Sequence, residues 1–164
     1  MTWTIVVAAV ITIIVLGAGG AMTNVGPWYR NLRKPSWNPP DWLFGPAWTV
    51  ILGLTAWGGV LGWLHARTAA EHVLIGVLFG INIVLHTLWS PLFFNFQRPD
   101  WALMEVPFLW LSILALIVVL GSLSALAGWL LVPYLLWVAF AAYLNLTIVR
   151  MNRPFGAAAQ AASR

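Results

Sequence analysis

Between Glu105 and Arg150 the chain carries no charged side chain. A helix of about 20 apolar residues crosses a bilayer core, so this stretch holds two spans and must turn back on itself. Gly121-Ser122 and Gly128 interrupt it, which predicts helices over about 101–120 and 129–150. Three more apolar stretches precede it, at about 3–22, 42–66 and 72–96; Asp41 and Arg67 bound the second, Glu71 and Arg98 the third. The expectation is an all-α membrane protein, a bundle of five transmembrane helices. They form one domain over residues 1–156, with a long connection at 23–41 and a flexible C-terminal tail at 157–164. The chain is 62% hydrophobic and 7% charged, against about 25% charged in a soluble domain. That excludes an ordinary globular protein and a disordered chain. Runs without period-two alternation exclude a β-barrel. The first stretch has a small-residue run, Gly17–Ala21, like a signal-peptide cleavage site. It also lacks a preceding basic residue and is long for such a peptide, so it reads as a retained helix.

The net charge of +4 rests on few groups, and lipid headgroups suit them better than nucleic acid does. With five spans, Arg30, Arg33, Lys34, Arg98, Arg150, Arg153 and Arg164 share one side, and Arg67 alone holds the other. Basic residues favour the cytoplasmic side, so the N-terminus is expected outside and the C-terminus in the cytoplasm. Without cysteine there is no disulfide, thiolate metal site or cysteine nucleophile. No paired carboxylates, Ser-His-Asp grouping, H-E-x-x-H or phosphate loop is present. No catalytic residue, resident metal or obligatory cofactor is therefore expected.

The connection at 23–41 is rich in information. Pro27, Pro35, Pro39 and Pro40 stiffen it, and aromatic residues sit among Arg30, Arg33 and Lys34. An interfacial aromatic belt accounts for the tryptophans singly. The prolines favour a stiff lid over a cavity between helices, because an anchor needs no rigid backbone.

On the third span, Asn82, His86, Trp89 and Phe93 recur at helical spacing and form one face. Polar groups at this depth are costly toward lipid, so the face should look into the bundle. Gly76 and Gly80 lie elsewhere on this helix, as a small-x-x-x-small pair that suits either packing in the bundle or a homodimer seam. The helix is thus expected to carry a cavity face and a contact face. His86 reads as a neutral hydrogen-bonding group. On the fifth span Pro133, Trp137, Ala141 and Asn145 step along one face. Glu105, near the start of the fourth, reads as a residue reaching water or Arg98.

The run Trp28-Tyr29-x-x-Leu32-x-Lys34-Pro35-x-Trp37-x-Pro39-Pro40-x-Trp42, followed by Pro46-x-Trp48-Thr49, resembles the tryptophan-rich sensory protein/translocator protein family (TspO/MBR). So do Leu88-Trp89-Ser90-Pro91-Leu92-Phe93-Phe94 and Val132-Pro133-Tyr134-Leu135-Leu136-Trp137-x-Ala139-Phe140-Ala141. The resemblance implies a multi-pass protein of a prokaryotic cell membrane that binds porphyrins (protoporphyrin IX or haem) and forms a homodimer. It would act as a sensor or carrier of porphyrins or other hydrophobic small molecules. Light-dependent porphyrin breakdown and lipid or sterol carriage are the alternatives. The resemblance places Trp48 and Trp137 at the ligand cavity, and Tyr29, Trp37 and Pro39 in the lid. A tetrapyrrole stacked between the two indoles, with propionates toward the lid cations, is the expected pose. The family usually has Asn where this chain has His86, for which single axial ligation of haem iron is the rarer use beside neutral hydrogen bonding. The sterol motif is imperfect: six residues separate Tyr143 from Arg150, one too many, and Leu146 stands at the family's tyrosine position.

Overall fold

The computed structural model describes residues 1–156; the expected tail at 157–164 lies outside the described residues. The elements in chain order are α1 (Thr2–Met22), α2 (Pro27–Asn31), α3 (Asp41–His65), α4 (Ala69–Ser90), a π-helical turn (Pro91–Asn95), α5 (Pro99–Leu123) and α6 (Ala125–Asn152). Helices α1, α3, α4 with its π turn, α5 and α6 are long and apolar enough to cross a membrane. The short α2 lies in the long connection, where the sequence reading placed no helix. Its Pro27 opens the first turn, where a missing N–H costs nothing.

Local chemistry sets the ends. Thr68 and Glu71 form a reciprocal capping box, so α4 begins at Ala69, before the expected start at 72. Pro91 has no N–H for the α-helical ladder. The backbone answers with a wider turn, in which Phe96 N–H reaches Pro91 O at 2.9 Å. That turn aims Phe93 inward, where it is buried.

The hairpin between α5 and α6 corrects the sequence reading. Gly121, Ser122 and Gly128 do not break the helices; all three are helical, and Ser124 alone makes the turn. The glycines instead permit close approach. A Cβ on Gly128 would lie 2.8 Å from Gly121 Cα and 3.0 Å from Ile117 O. Around that crossing Leu116, Leu120, Ala127 and Leu131 are fully buried. Helix α3 joins through Gly58, which faces Leu131 and Ala127 O, and Gly62, which faces Leu120. Helix α1 lies against α3 and contributes Val15 alone to the buried core.

Glu105 also differs from expectation. It is 7% exposed, and neither carboxyl oxygen has a hydrogen-bond partner. Arg98 is taken by Asp100 through two hydrogen bonds of 2.7 and 2.5 Å.

Candidate functional site

The connection after α1 folds over one end of the bundle. Tyr29 of α2 is buried against Phe93 and Phe94 of the π turn. Its hydroxyl donates to Asp41 Oδ1 at 2.9 Å, and Lys34 Nζ sits 3.6 Å above its ring. Burial, then the hydrogen bond to Asp41 and that residue's charge, push the Tyr29 phenol above the ordinary tyrosine range. Asn152 at the end of α6 clamps the backbone of Arg33, accepting from its N–H and donating to its carbonyl, both at 2.8 Å. The connection is thereby tied at α3, the π turn and α6.

Beneath it lies a cavity of about 480 Å³ bordered by α1, α3, α4, α5 and α6. Tyr29, Asn38 and Asp41 supply its polar end, and Phe44, Trp48, Trp89 and Trp137 its aromatic wall. Trp48 and Trp137 meet edge to face, with centroids 6.3 Å apart and planes at 85°, as ring quadrupoles favour. This corrects the expected sandwich: perpendicular indoles make a corner, so a flat ligand can lie on one ring and meet the other's edge. A second cavity of about 480 Å³ occupies the opposite end, between α1, α3 and α4, and shares Val15, Leu52 and His86 with the first.

A buried polar relay joins α4, α5 and α6 beside this shared wall. Asn82 Nδ2 donates to Ser112 Oγ at 2.9 Å, and Ser112 Oγ donates to Leu109 O at 2.7 Å. Tyr134 Oη lies 3.4 Å from Asn82 Oδ1 and 3.0 Å from His86 Nδ1. The tyrosine has one proton for two neighbours. Among the described residues it is the only donor recorded for Asn82 Oδ1, and a buried acceptor left unpaired costs about 1–3 kcal/mol. Tyr134 satisfies both neighbours when it donates to Asn82 and accepts from His86 Nδ1–H, the tautomer that leaves the imidazole lone pair on Nε2.

The expected site residues separate into groups. Tyr29, Trp48, Trp89, Trp137 and Ala141 line the lid-side cavity, and His86 lines both cavities. Asn82 is buried in the relay and borders only the second cavity. Trp37 and Pro39 are not in the wall of either. Trp37 is 43% exposed and stacks on Tyr143 at 5.3 Å, on the outside of α6. Arg30, Arg33 and Lys34 likewise stay out of the lid-side wall, which leaves the expected propionate contacts without a cation there. Among the described residues Gly76 and Gly80 have nothing within 4 Å of an added Cβ, so they pack against no other helix of the bundle. They are exposed and border the second cavity together with Asn82 and His86. Pro133 is exposed. Asn145, with its amide oriented to satisfy both groups, bridges Pro99 O and Leu103 N at 3.1 and 3.2 Å and so steadies the first turn of α5.

The sequence reading missed Asp41, Phe44 and Tyr134 as site residues. Tyr134 had a signal: it lies one turn before Trp137 and Val138 on the face that continues to Ala141 and Asn145. Asp41 had none, because its role depends on where the folded connection brings Tyr29.

The TspO/MBR family pattern matches residues 5–151. The chain belongs to the TspO/MBR family. Among TspO/MBR relatives, the tryptophan-rich protein TspO of Chlorobaculum tepidum is 44% identical over 128 residues, covering 76% of this chain and 79% of the relative. The tryptophan-rich sensory protein of Cereibacter sphaeroides is 36% identical over 136 residues, covering 81% and 82%. The human translocator protein is 34% identical over 126 residues, covering 76% and 75%. With five apolar helices and this membership, the chain is an integral, multi-pass membrane protein of the TspO/MBR type.

Proposed function

We propose that this protein binds tetrapyrroles in the lid-side cavity and acts as a sensor or carrier of porphyrins or other hydrophobic ligands. The carrying observation is the aromatic corner of Trp48 and Trp137 under a connection tied down on three sides. Aromatic contacts contribute about 0.5–1.5 kcal/mol each beyond burial, enough in pairs to select a broad flat ligand over a lipid chain. Relatives carry the words sensory and translocator in their names. The second cavity, meeting the first at Val15, Leu52 and His86, favours carriage over sensing.

The test is a titration of purified protein in bicelles with protoporphyrin IX in the dark, followed by porphyrin absorbance. Saturable binding that weakens about tenfold in Trp48→Phe/Trp137→Phe, as two smaller aromatic surfaces imply, supports the reading. Equal binding by that variant removes it. The protein is proposed to have no enzymatic turnover; pigment loss under light but not in darkness would favour porphyrin breakdown through the pocket indoles. A lipid or sterol carrier would bind aliphatic competitors at the same cavity.

The assembly is proposed as a homodimer through Gly76 and Gly80, which stand open on α4. Cross-linking after Gly80→Leu tests the seam. Tying of the long connection to the end of α6 puts Arg30, Arg33, Lys34, Arg150 and Arg153 at one end of the bundle, which supports a cytoplasmic C-terminus and an outside N-terminus in a prokaryotic membrane.

A further inference from the structure

We propose that His86 Nε2 is an axial ligand for the metal of a metallated tetrapyrrole bound in the lid-side cavity. The inference rests on the tetrapyrrole reading and deepens it, because it separates metallated ligands from free-base ones.

Imidazoles that bind metals present one ring nitrogen and donate the other N–H to a fixed acceptor, which sets tautomer and orientation. His86 has that arrangement before any ligand arrives. Nδ1 is engaged by Tyr134 Oη at 3.0 Å, and Tyr134 is itself held by Asn82. Nε2 has no hydrogen-bond partner among the described residues, and His86 lines the lid-side cavity as well as the second one. His65 and His72 also have Nδ1 engaged, by Leu61 O and Thr68 O, but neither borders a cavity.

The donor set also narrows the ligand class. Among the described residues there is no group of three side chains able to hold a bare metal ion. A single imidazole in an aromatic cavity matches a metal that arrives with four nitrogen donors in a plane and lacks a fifth. Nε2 donates its lone pair to that metal and displaces the water bound there. No proton or electron is transferred. A free-base macrocycle has no acceptor for that pair and gains nothing comparable from His86.

The experiment compares haemin with metal-free protoporphyrin IX on the full-length protein in bicelles. The readouts are affinity, the Soret band, and the iron–histidine stretch of the reduced haem complex by resonance Raman. The expected result is a histidine-ligated haem in wild type. His86→Ala should lose that signature and about tenfold in haemin affinity, a larger loss than it causes for the free base. Added imidazole should restore the spectrum of His86→Ala. Tyr134→Phe should keep the ligand but shift its iron–histidine frequency. If His86→Ala also loses free-base binding, His86→Gln decides, since it fills the space and lacks the lone-pair nitrogen. A haemin spectrum unchanged in His86→Ala or His86→Gln overturns the ligand assignment and leaves the tetrapyrrole site standing. Binding of the free base with no haemin binding does the same. Binding of neither overturns both.

Discussion

Helix α1 and the α5–α6 hairpin are both uncharged over most of their length, yet the fold uses them differently. The hairpin carries Leu116, Leu120, Ala127 and Leu131 with no exposed surface, and two glycines let its backbones touch. Helix α1 buries one residue, Val15, while Ile13 and Ile14 remain open to the surroundings. Lipid is as apolar as leucine, so hydrophobicity does not pull a helix into a bundle; close packing and interhelical hydrogen bonds do. Helix α1 has neither small-residue contacts nor an interhelical polar bond: Thr12 Oγ1 donates to Ala8 O on its own helix. The hairpin, with α3 and α4, is the frame, and α1 is a wall that borders both cavities.

The largest expected break in this contrast is Gly128→Val. Its Cβ meets backbone that cannot yield, and about 3 kcal/mol of stability should disappear, or assembly fail. Unfolding in a graded detergent series measures it. Leu116→Ala, at a site 0% exposed, should cost about 2–3 kcal/mol on the same assay. Tyr134→Phe strands Asn82 Oδ1 and His86 Nδ1 and should cost about 2 kcal/mol; a loss below experimental error would show that the relay does not hold the frame.

Tyr29 adds a pH arm at the tied connection. Its folded-state pKa is raised, so the unfolded chain ionises first. Its contribution is therefore complete below about pH 10 and fades as pH rises past it. Wild type should lose stability between neutral and strongly alkaline pH more steeply than Tyr29→Phe, as parallel unfolding series would reveal. The smallest effect is expected on α1: Ile14→Ala, 63% exposed, should change stability by under about 0.5 kcal/mol. A loss equal to that of Leu116→Ala would erase the difference between the two regions.

The spans were readable because length and charge alone decide them: Asp41, Arg67, Glu71 and Arg98 punctuate apolar runs that suit nothing but a membrane. Trp89 was readable in the helical spacing of its span, and Trp48 and Trp137 in the family resemblance that placed them at the cavity. Trp37 misled, because a tryptophan in a loop carries no periodicity to say which side it takes; the fold lays it on Tyr143 outside. Gly121 and Gly128 misled for another reason. A glycine breaks an isolated helix but serves a packed one, and only the partner helix distinguishes the two.

Composition and pattern thus sufficed for the class of protein and the number of spans, since these follow from the cost of charge and unpaired backbone in lipid. The perpendicular corner of Trp48 and Trp137, the pairing of Arg98 with Asp100 that leaves Glu105 alone, and the relay from Ser112 through Asn82 and Tyr134 to His86 depend on distances between separate helices. A hydrogen bond is made or lost within half an ångström or so, and one-dimensional spacing does not carry that precision across the gap between two helices.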